Sequence, residues 1–413
     1  MSKNIPFKND INKLLNKYET PLYIYDEKNI RNTMYNLINI FNKKFNFQHF
    51  FAVKALPNPN ILKIIIDQGS GLDCSSLTEL KIAESLKLDP NKIIFTSNYT
   101  SNEDLKYAYD MGVIINLDDY SLINKLYNIY NKFPDKIFFR LNPGIGNTDS
   151  VVKSNILGGP EAKFGISPEN IIKCYKLSKN LGCKEYGIHM MTGSCVLDNG
   201  YWSKSIKILI DNIIKIENKV DIKIKYVNIG GGIGIPYKLD EKSVDINELV
   251  NNIYNIFIKN NRELPILYME NGRYITGPYG WLISKCNCVK KSFNSVYYGL
   301  DACMSNLMRP GMYNSYHYIS VLNKNNNNLI PANVVGTLCE NNDWFAKERL
   351  LPVCYENDIF IIHDVGAHSH SMGFQYNGKL RSSEILYTKN NEFKIIRKKE
   401  KLNDYLINII NDI

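Results

Sequence analysis

Phe50-Phe51-Ala52-Val53-Lys54-Ala55, followed by Gly71-Leu72-Asp73-Cys74-Ser75-Ser76-Leu77-Thr78-Glu79-Leu80, is the stretch on which the fold is decided. Each piece begins as a short apolar run of strand length, and each run ends near a residue that can ionise, Lys54 or Asp73. The second run passes directly into a segment, Leu77 to Leu86, whose apolar residues recur at helical spacing. The same alternation continues along the chain, with strand-like runs at 48–53, 70–74, 92–96, 112–116, 136–141, 184–189, 224–229 and 265–269. Helical patterns lie between them, and Ser101-Asn102-Glu103-Asp104 offers a helix N-cap. Eight strand-helix units predict an α/β fold, a (β/α)8 TIM barrel over residues 30–285. A doubly wound sheet stays open at this point, because periodicity does not show closure.

After about residue 285 the pattern changes to closely spaced runs, Val296-Tyr297-Tyr298-Gly299-Leu300, Asn333-Val334-Val335-Gly336 and Asp358-Ile359-Phe360-Ile361-Ile362, separated by Gly, Pro and Asn. A second, mainly β domain of sandwich or barrel type is expected over 286–413. Leu22-Tyr23-Ile24-Tyr25 precedes the first barrel strand and can pair with that domain, which then also takes residues 1–29 and is discontinuous. The tract Asn325-Asn326-Asn327-Asn328 reads as an exposed hairpin loop.

The chain has 413 residues, 44% hydrophobic and 22% charged, enough for two domains with a sizeable buried core. No apolar run reaches the roughly 18 residues of a membrane span, and Met1-Ser2-Lys3-Asn4-Ile5-Pro6-Phe7-Lys8 lacks the apolar stretch of a signal peptide. A cytoplasmic protein is expected. The formal charge of +9 is spread among Asn and Ile along the chain, with no basic block, so a solvated surface explains it better than a nucleic-acid partner. Nine Cys at irregular positions do not suggest a disulfide framework. Cys286-Asn287-Cys288 and the pair His368, His370 fall short of a metal ligand set, and no metal is expected.

Barrel active sites lie at the carboxyl ends of the strands, so the residues there can be named in advance. They are Lys54, Asp73, Arg140, His189 ahead of Thr192-Gly193-Ser194, the run Gly230-Gly231-Gly232-Ile233-Gly234, and Glu270-Asn271-Gly272-Arg273. One amine, one anion site and one carboxylate converge. The glycine run lets backbone N–H groups approach an anion, and its place after the seventh strand is where barrels often bind phosphate. It is not a dinucleotide fingerprint, because Ile235 and Pro236 stand where Gly and helix are needed. Lys54 at the end of an apolar strand should form an imine, pair with an acid or reach solvent. Glu270 is either its salt-bridge partner or the acid that holds the pyridinium nitrogen of a cofactor. The residues alone leave both readings open.

This ordered series resembles one family, the fold-type III pyridoxal-phosphate decarboxylases of ornithine, diaminopimelate and arginine. The resemblance runs from about Leu22 to Leu386. It includes Phe51-Ala52-Val53-Lys54-Ala55, Gly71 to Leu80, Ala162-Lys163-Phe164-Gly165-Ile166, Gly230 to Gly234 and Glu270-Asn271-Gly272-Arg273. In the second domain Asp301-Ala302-Cys303-Met304-Ser305-Asn306-Leu307-Met308-Arg309-Pro310-Gly311-Met312-Tyr313 and Gly336-Thr337-Leu338-Cys339-Glu340-Asn341-Asn342-Asp343 favour the diaminopimelate branch. The resemblance implies conversion of meso-2,6-diaminopimelate to L-lysine and carbon dioxide with pyridoxal 5'-phosphate as cofactor.

It also implies roles. Lys54 forms the Schiff base, among Asp73, Arg140 and His189. Ser194, Gly231, Gly232 and the backbone at Gly272 and Arg273 hold the phosphate, and Glu270 pairs with the pyridine nitrogen. Arg273, Arg309 and Tyr313 bind the substrate's distal carboxylate, and Glu340 its distal ammonium. Cys339 delivers a proton to Cα from the other subunit, which implies a homodimer with shared sites.

Three positions depart from the pattern. Met191 stands where a His usually stacks on the cofactor ring, His368 replaces a Tyr near the phosphate, and Asn271 replaces a Pro. Met sulfur over the ring and an imidazole donor are workable substitutes. These departures keep other readings in view: a decarboxylase of ornithine, lysine or carboxynorspermidine, a racemase of the same fold, or a non-catalytic relative that binds the cofactor or a partner.

Overall fold

The computed structural model describes residues 3–148, 157–260, 263–324 and 327–409. By internal contacts the chain divides into two compact units. One comprises Arg31–Ile235 with Lys242–Ile275; the other comprises the chain up to Ile30, Pro236–Glu241 and the chain from Thr276 onward. No sequence feature announces that the short segment Pro236–Glu241 clusters with the second unit.

The first unit is a closed parallel barrel. Its strands are Phe47–Ala52, Gly71–Cys74, Ile93–Thr96, Ile114–Leu117, Lys136–Leu141, Glu185–Met190, Ile224–Asn228 and Ile266–Met269. They neighbour one another in sequence order, and the eighth pairs with the first through Met269 and His49. Closure excludes the doubly wound alternative. The strands are buried almost without interruption, as parallel strands covered by helices should be. The helices between them start at capped ends: the Ser101 side chain accepts from the Asp104 N–H, and Gly112, at φ +70°, terminates the same helix.

A layer of side chains plugs the barrel: Phe50, Ile94, Ile114, Phe138, Tyr226 and Tyr268. Phe138 stacks on Tyr268 at 5.7 Å between ring centroids. The bulk of this layer explains two glycines. A Cβ on Gly71 would lie 2.7 Å from the Phe50 ring, and one on Gly187 would lie 2.3 Å from the Phe138 ring. Strand side chains repeat with a period of two, so the next layer toward the carboxyl ends comes two residues later on each strand. That layer is Ala52, Asp73, Thr96, Asn116, Arg140, His189, Asn228 and Glu270. An apolar floor therefore lies directly beneath a ring of polar groups.

The second unit is a nine-stranded mixed sheet. Leu22–Asp26 lies inside it, antiparallel to Gly280–Ser292 and parallel to Ser383–Tyr387. Its core includes Phe7, Leu22, Ile24, Trp281, Ile283, Ile361 and Ile385, with Phe7 edge-on to Trp281 at 5.1 Å. Leu329–Val335 and Trp344–Pro352 form a hairpin that carries Cys339 and Glu340 in its connection. Asn325 and Asn326, half of the tract expected to be a hairpin loop, lie outside the described residues. Among the described residues no helix is long and apolar enough to cross a membrane, and no group of three or more His, Cys, Asp or Glu side chains is placed to hold a metal ion. All nine cysteines are free thiols.

Candidate active site

Lys54 lies just beyond the first barrel strand, in the one-turn helix Val53–Ala55, so the strand ends at Ala52 and not at Lys54 as its sequence suggested. This lifts the side chain out of the apolar layer and leaves it 56% exposed. The carboxylate nearest its Nζ is Asp73, at 3.8 Å, and not Glu270. Both Asp73 oxygens are fully buried, with the Thr96 side chain beside the carboxyl. Burial, together with the negative charge of Glu270, pushes the Asp73 carboxyl well above its usual range, and Lys54 only partly opposes this. Asp73 is biased toward its neutral acid form.

Glu270 is its opposite. Burial alone would raise it, but His189 beside it, Lys54 and the Asn228 amide outweigh that cost and hold the carboxyl below the usual range. His189 Nε2 lies 3.1 Å from Oε2 and Asn228 Nδ2 donates to Oε1 at 2.5 Å. An ionised carboxylate only accepts, so the His189 proton facing it sits on Nε2. His189 Nδ1 is buried with no partner among the described residues. Two carboxyl groups in one ring are thus pushed in opposite directions.

Asn228 has a second task, since its Oδ1 accepts from the Gly230 N–H at 2.9 Å. That ties the acid to the glycine turn. Gly232 has φ +108°, and a Cβ there would lie 2.3 Å from the Gly193 carbonyl oxygen. A Cβ on Gly231 would lie 2.3 Å from the Glu270 carbonyl oxygen. The turn is therefore packed backbone to backbone on the strand-eight motif, and only glycine permits this. The Gly231 N–H donates to Met191 Sδ at 3.2 Å, and Ser194 Oγ accepts from Arg273 at 3.4 Å. At Gly272 a Cβ would lie 2.6 Å from Ala55 Cβ, so the strand-eight motif also packs against the turn that carries Lys54.

Arg140 is buried, with its guanidinium 3.5 Å from Asp118 and 4.7 Å over the Phe164 ring. Phe164 belongs to the loop Ala162 to Ile166, which is anchored by the Ile166 N–H on the Arg140 carbonyl and by the Gly165 N–H on Asp118. Lys54, Asp73, Arg140, His189, Met191, Ser194, Gly231, Gly232, Glu270, Gly272 and Arg273 all belong to the barrel unit.

The remaining candidates belong to the sheet unit. Arg309 is buried, donating to Tyr237 Oη at 2.9 Å and lying 3.2 Å from His317 Nε2. Tyr313, at the end of the same short helix, is half-buried. Cys339 and Glu340 are exposed; the Cys339 N–H donates to Asn377 Oδ1 and Glu340 Oε1 accepts from the Asn342 N–H. His368 is half-buried with a left-handed backbone at φ +56°.

Sequence reasoning missed Asn228, Asp118 and His49. Asn228 was visible as a polar residue in the run Lys225-Tyr226-Val227-Asn228-Ile229, two places after the plug residue Tyr226, and that spacing was the available signal. The barrel residues fit pyridoxal phosphate on their own geometry. A buried ionised acid suits a pyridinium nitrogen, a glycine turn bare of side chains with Ser194 beside it suits a phosphate, and an accessible lysine amine suits an aldehyde.

Residues 28–277 match the family model described as pyridoxal-dependent decarboxylase, pyridoxal binding domain. The chain belongs to this decarboxylase family. Protein TabA of Pseudomonas amygdali pv. tabaci is 38% identical over 402 residues, covering 96% of this chain and 92% of that one. The diaminopimelate decarboxylase of Methanothermobacter thermautotrophicus is 33% identical over 405 residues, covering 96% and 93%. Among solved structures, the diaminopimelate decarboxylase of Helicobacter pylori complexed with L-lysine superposes with a TM-score of 0.88 at 26% identity, covering 96% of this chain and 98% of that one. Similarity on this scale extends the family assignment beyond the barrel to the sheet unit.

Proposed function

We propose that this decarboxylase converts meso-2,6-diaminopimelate to L-lysine and carbon dioxide with pyridoxal 5'-phosphate. The observation that carries the reading is the buried, ionised Glu270 in a barrel whose carboxyl ends also bear Lys54 and a glycine turn bare of side chains. When bound, the cofactor supplies a ring that accepts the electron pair freed as carbon dioxide leaves. Glu270 keeps a proton on the ring nitrogen, and His189 and Asn228 keep Glu270 ionised so that it can do so. Lys54 would present its Nζ to the cofactor aldehyde, and the bias of Asp73 toward its neutral form weakens the ion pair between them. Gly231, Gly232, Ser194 and the Gly272-Arg273 backbone hold the phosphate, with His368 as a further donor. Met191, whose sulfur accepts from the Gly231 N–H, would flank the cofactor ring.

Arg273, Arg309 and Tyr313 take the distal carboxylate and Glu340 the distal ammonium. The Cys339 thiol delivers the proton to Cα, from a second copy of the chain in a homodimer with shared sites. The relatives named as diaminopimelate decarboxylases and the lysine-bound structure support the substrate, and free thiols throughout suit the cytoplasm. Met191 and His368 favour one competing reading, decarboxylation of a different basic amino acid.

The test is chiral product analysis of purified protein given the cofactor and, in parallel, meso-2,6-diaminopimelate, ornithine, lysine or carboxynorspermidine. L-Lysine and carbon dioxide from diaminopimelate alone are expected. Turnover of another amine instead would overturn the substrate, and a D-product without carbon dioxide would overturn decarboxylation.

A further inference from the structure

His49 lies in the first barrel strand and is fully buried. Its Nε2 accepts from the backbone N–H of Asn271 at 3.2 Å, and its Nδ1 lies 2.8 Å from Ser70 Oγ. A backbone N–H can only donate, so Nε2 carries the lone pair and Nδ1 the proton. Ser70 Oγ passes its own proton on to the Gly71 carbonyl at 2.8 Å. Burial lowers the His49 ring to about 3, consistent with this single neutral tautomer.

On its other side Asn271 reaches the glycine turn. Its Oδ1 accepts from the Ile233 N–H at 3.2 Å. Turning the carboxamide over would set two donors face to face, so its orientation is fixed, and Nδ2 stays buried without a partner among the described residues. The backbone just before Asn271 is the floor on which Gly231 sits. One chain of bonds therefore runs Gly71, Ser70, His49, Asn271, Ile233, from the first two strands to the turn after the seventh.

We propose that Asn271 is a positioning residue for the anion-binding glycine turn, and that His49 holds Asn271 in register through its neutral imidazole. The proposal rests on the reading of the turn as the seat of the cofactor's phosphate. Proline at 271 could not serve, since it has neither the N–H that His49 accepts nor a side-chain oxygen for Ile233. The two residues act as a unit, and their action falls on the phosphate end of the ligand.

Pyridoxal without its phosphate separates this role from general packing. Apoprotein is titrated with pyridoxal 5'-phosphate and, in parallel, with pyridoxal, each followed by absorbance, with circular dichroism confirming that every variant is folded. The wild type should bind the phosphorylated form far more tightly. Asn271→Ala should weaken pyridoxal phosphate about tenfold, the usual worth of one buried hydrogen bond, and change pyridoxal less than twofold. His49→Leu should act in the same direction, and His49→Gln, whose amide oxygen can accept the Asn271 N–H, should recover most of the loss. Equal weakening of both ligands in Asn271→Ala, or of neither, overturns the brace. A wild type that does not prefer the phosphorylated form overturns the phosphate seat itself.

Discussion

Replacing Gly231 by Ala tests how closely the anion turn is fitted to the acid beneath it. The new Cβ would stand 2.3 Å from the carbonyl oxygen of Glu270 and 2.9 Å from its carbonyl carbon, both backbone atoms with no rotamer to escape into. Ordinary contact begins at 3.4 Å, so either the turn or the Glu270-Asn271 backbone must give way by about 1 Å. Overpacking of this kind costs about 1–3 kcal/mol of stability. The larger effect should be on chemistry, because the displaced residue carries the carboxylate, and a misplacement of about 1 Å near reacting groups costs on the order of 100-fold in rate. Steady-state kinetics of lysine formation and an absorbance titration of the apoprotein measure both. Gly299→Ala is the control, since its Cβ would meet only the Cys288 carbonyl oxygen at 3.5 Å. If Gly231→Ala keeps kcat and cofactor affinity within twofold of wild type, the close packing of turn on acid is not what positions the site.

Three further outcomes follow from the same geometry. Asn228→Ala removes a hydrogen bond to a charged carboxylate, worth about 1.5–3 kcal/mol, and should lower kcat/KM by roughly 10- to 100-fold; an unaffected enzyme would remove Asn228 from the site. Asp73→Asn replaces a carboxyl biased toward its neutral form by a neutral amide and should lower kcat no more than about threefold, whereas Glu270→Gln removes a charge and should lower kcat at least about 100-fold; equal effects would contradict the opposite shifts of the two carboxyls. His49 stands at about 3 in the folded chain against roughly 6.5 unfolded, so as pH falls the unfolded chain takes the proton first. Its contribution is complete above about pH 6.5 and is lost as pH falls toward 3, by up to ~5 kcal/mol. Urea melts of His49→Gln should therefore be less pH-dependent than wild type between pH 7 and 5, and identical slopes would contradict a buried neutral ring.

The fold was legible because each barrel strand is a short apolar run followed by a helical pattern, and the eight runs fall within a few residues of the strands. Lys54, Asp73, Arg140, His189 and Glu270 were legible for the same reason, as polar residues at the ends of apolar runs. What could not be read was which of them pair. Lys54 and Glu270 are both near the carboxyl ends, but the helical turn at Val53–Ala55 brings Lys54 to Asp73 on the adjacent strand. Asn228 and His49 sit inside mostly apolar strands beside the ordinary polar residues Lys225 and Gln48, and a polar residue there looks like a tolerated exception until its partners are known. The crowding at Gly231 was equally hidden, since glycine for a positive φ and glycine for a close approach are the same letter.

The proposed chemistry depends on Lys54 as the residue that carries pyridoxal phosphate. Reduction of the loaded protein with borohydride, followed by peptide mapping, tests this directly. A stable pyridoxyl label is expected on Lys54 alone, absent from Lys54→Ala. A label on another lysine, or no label although the cofactor is bound, would contradict it.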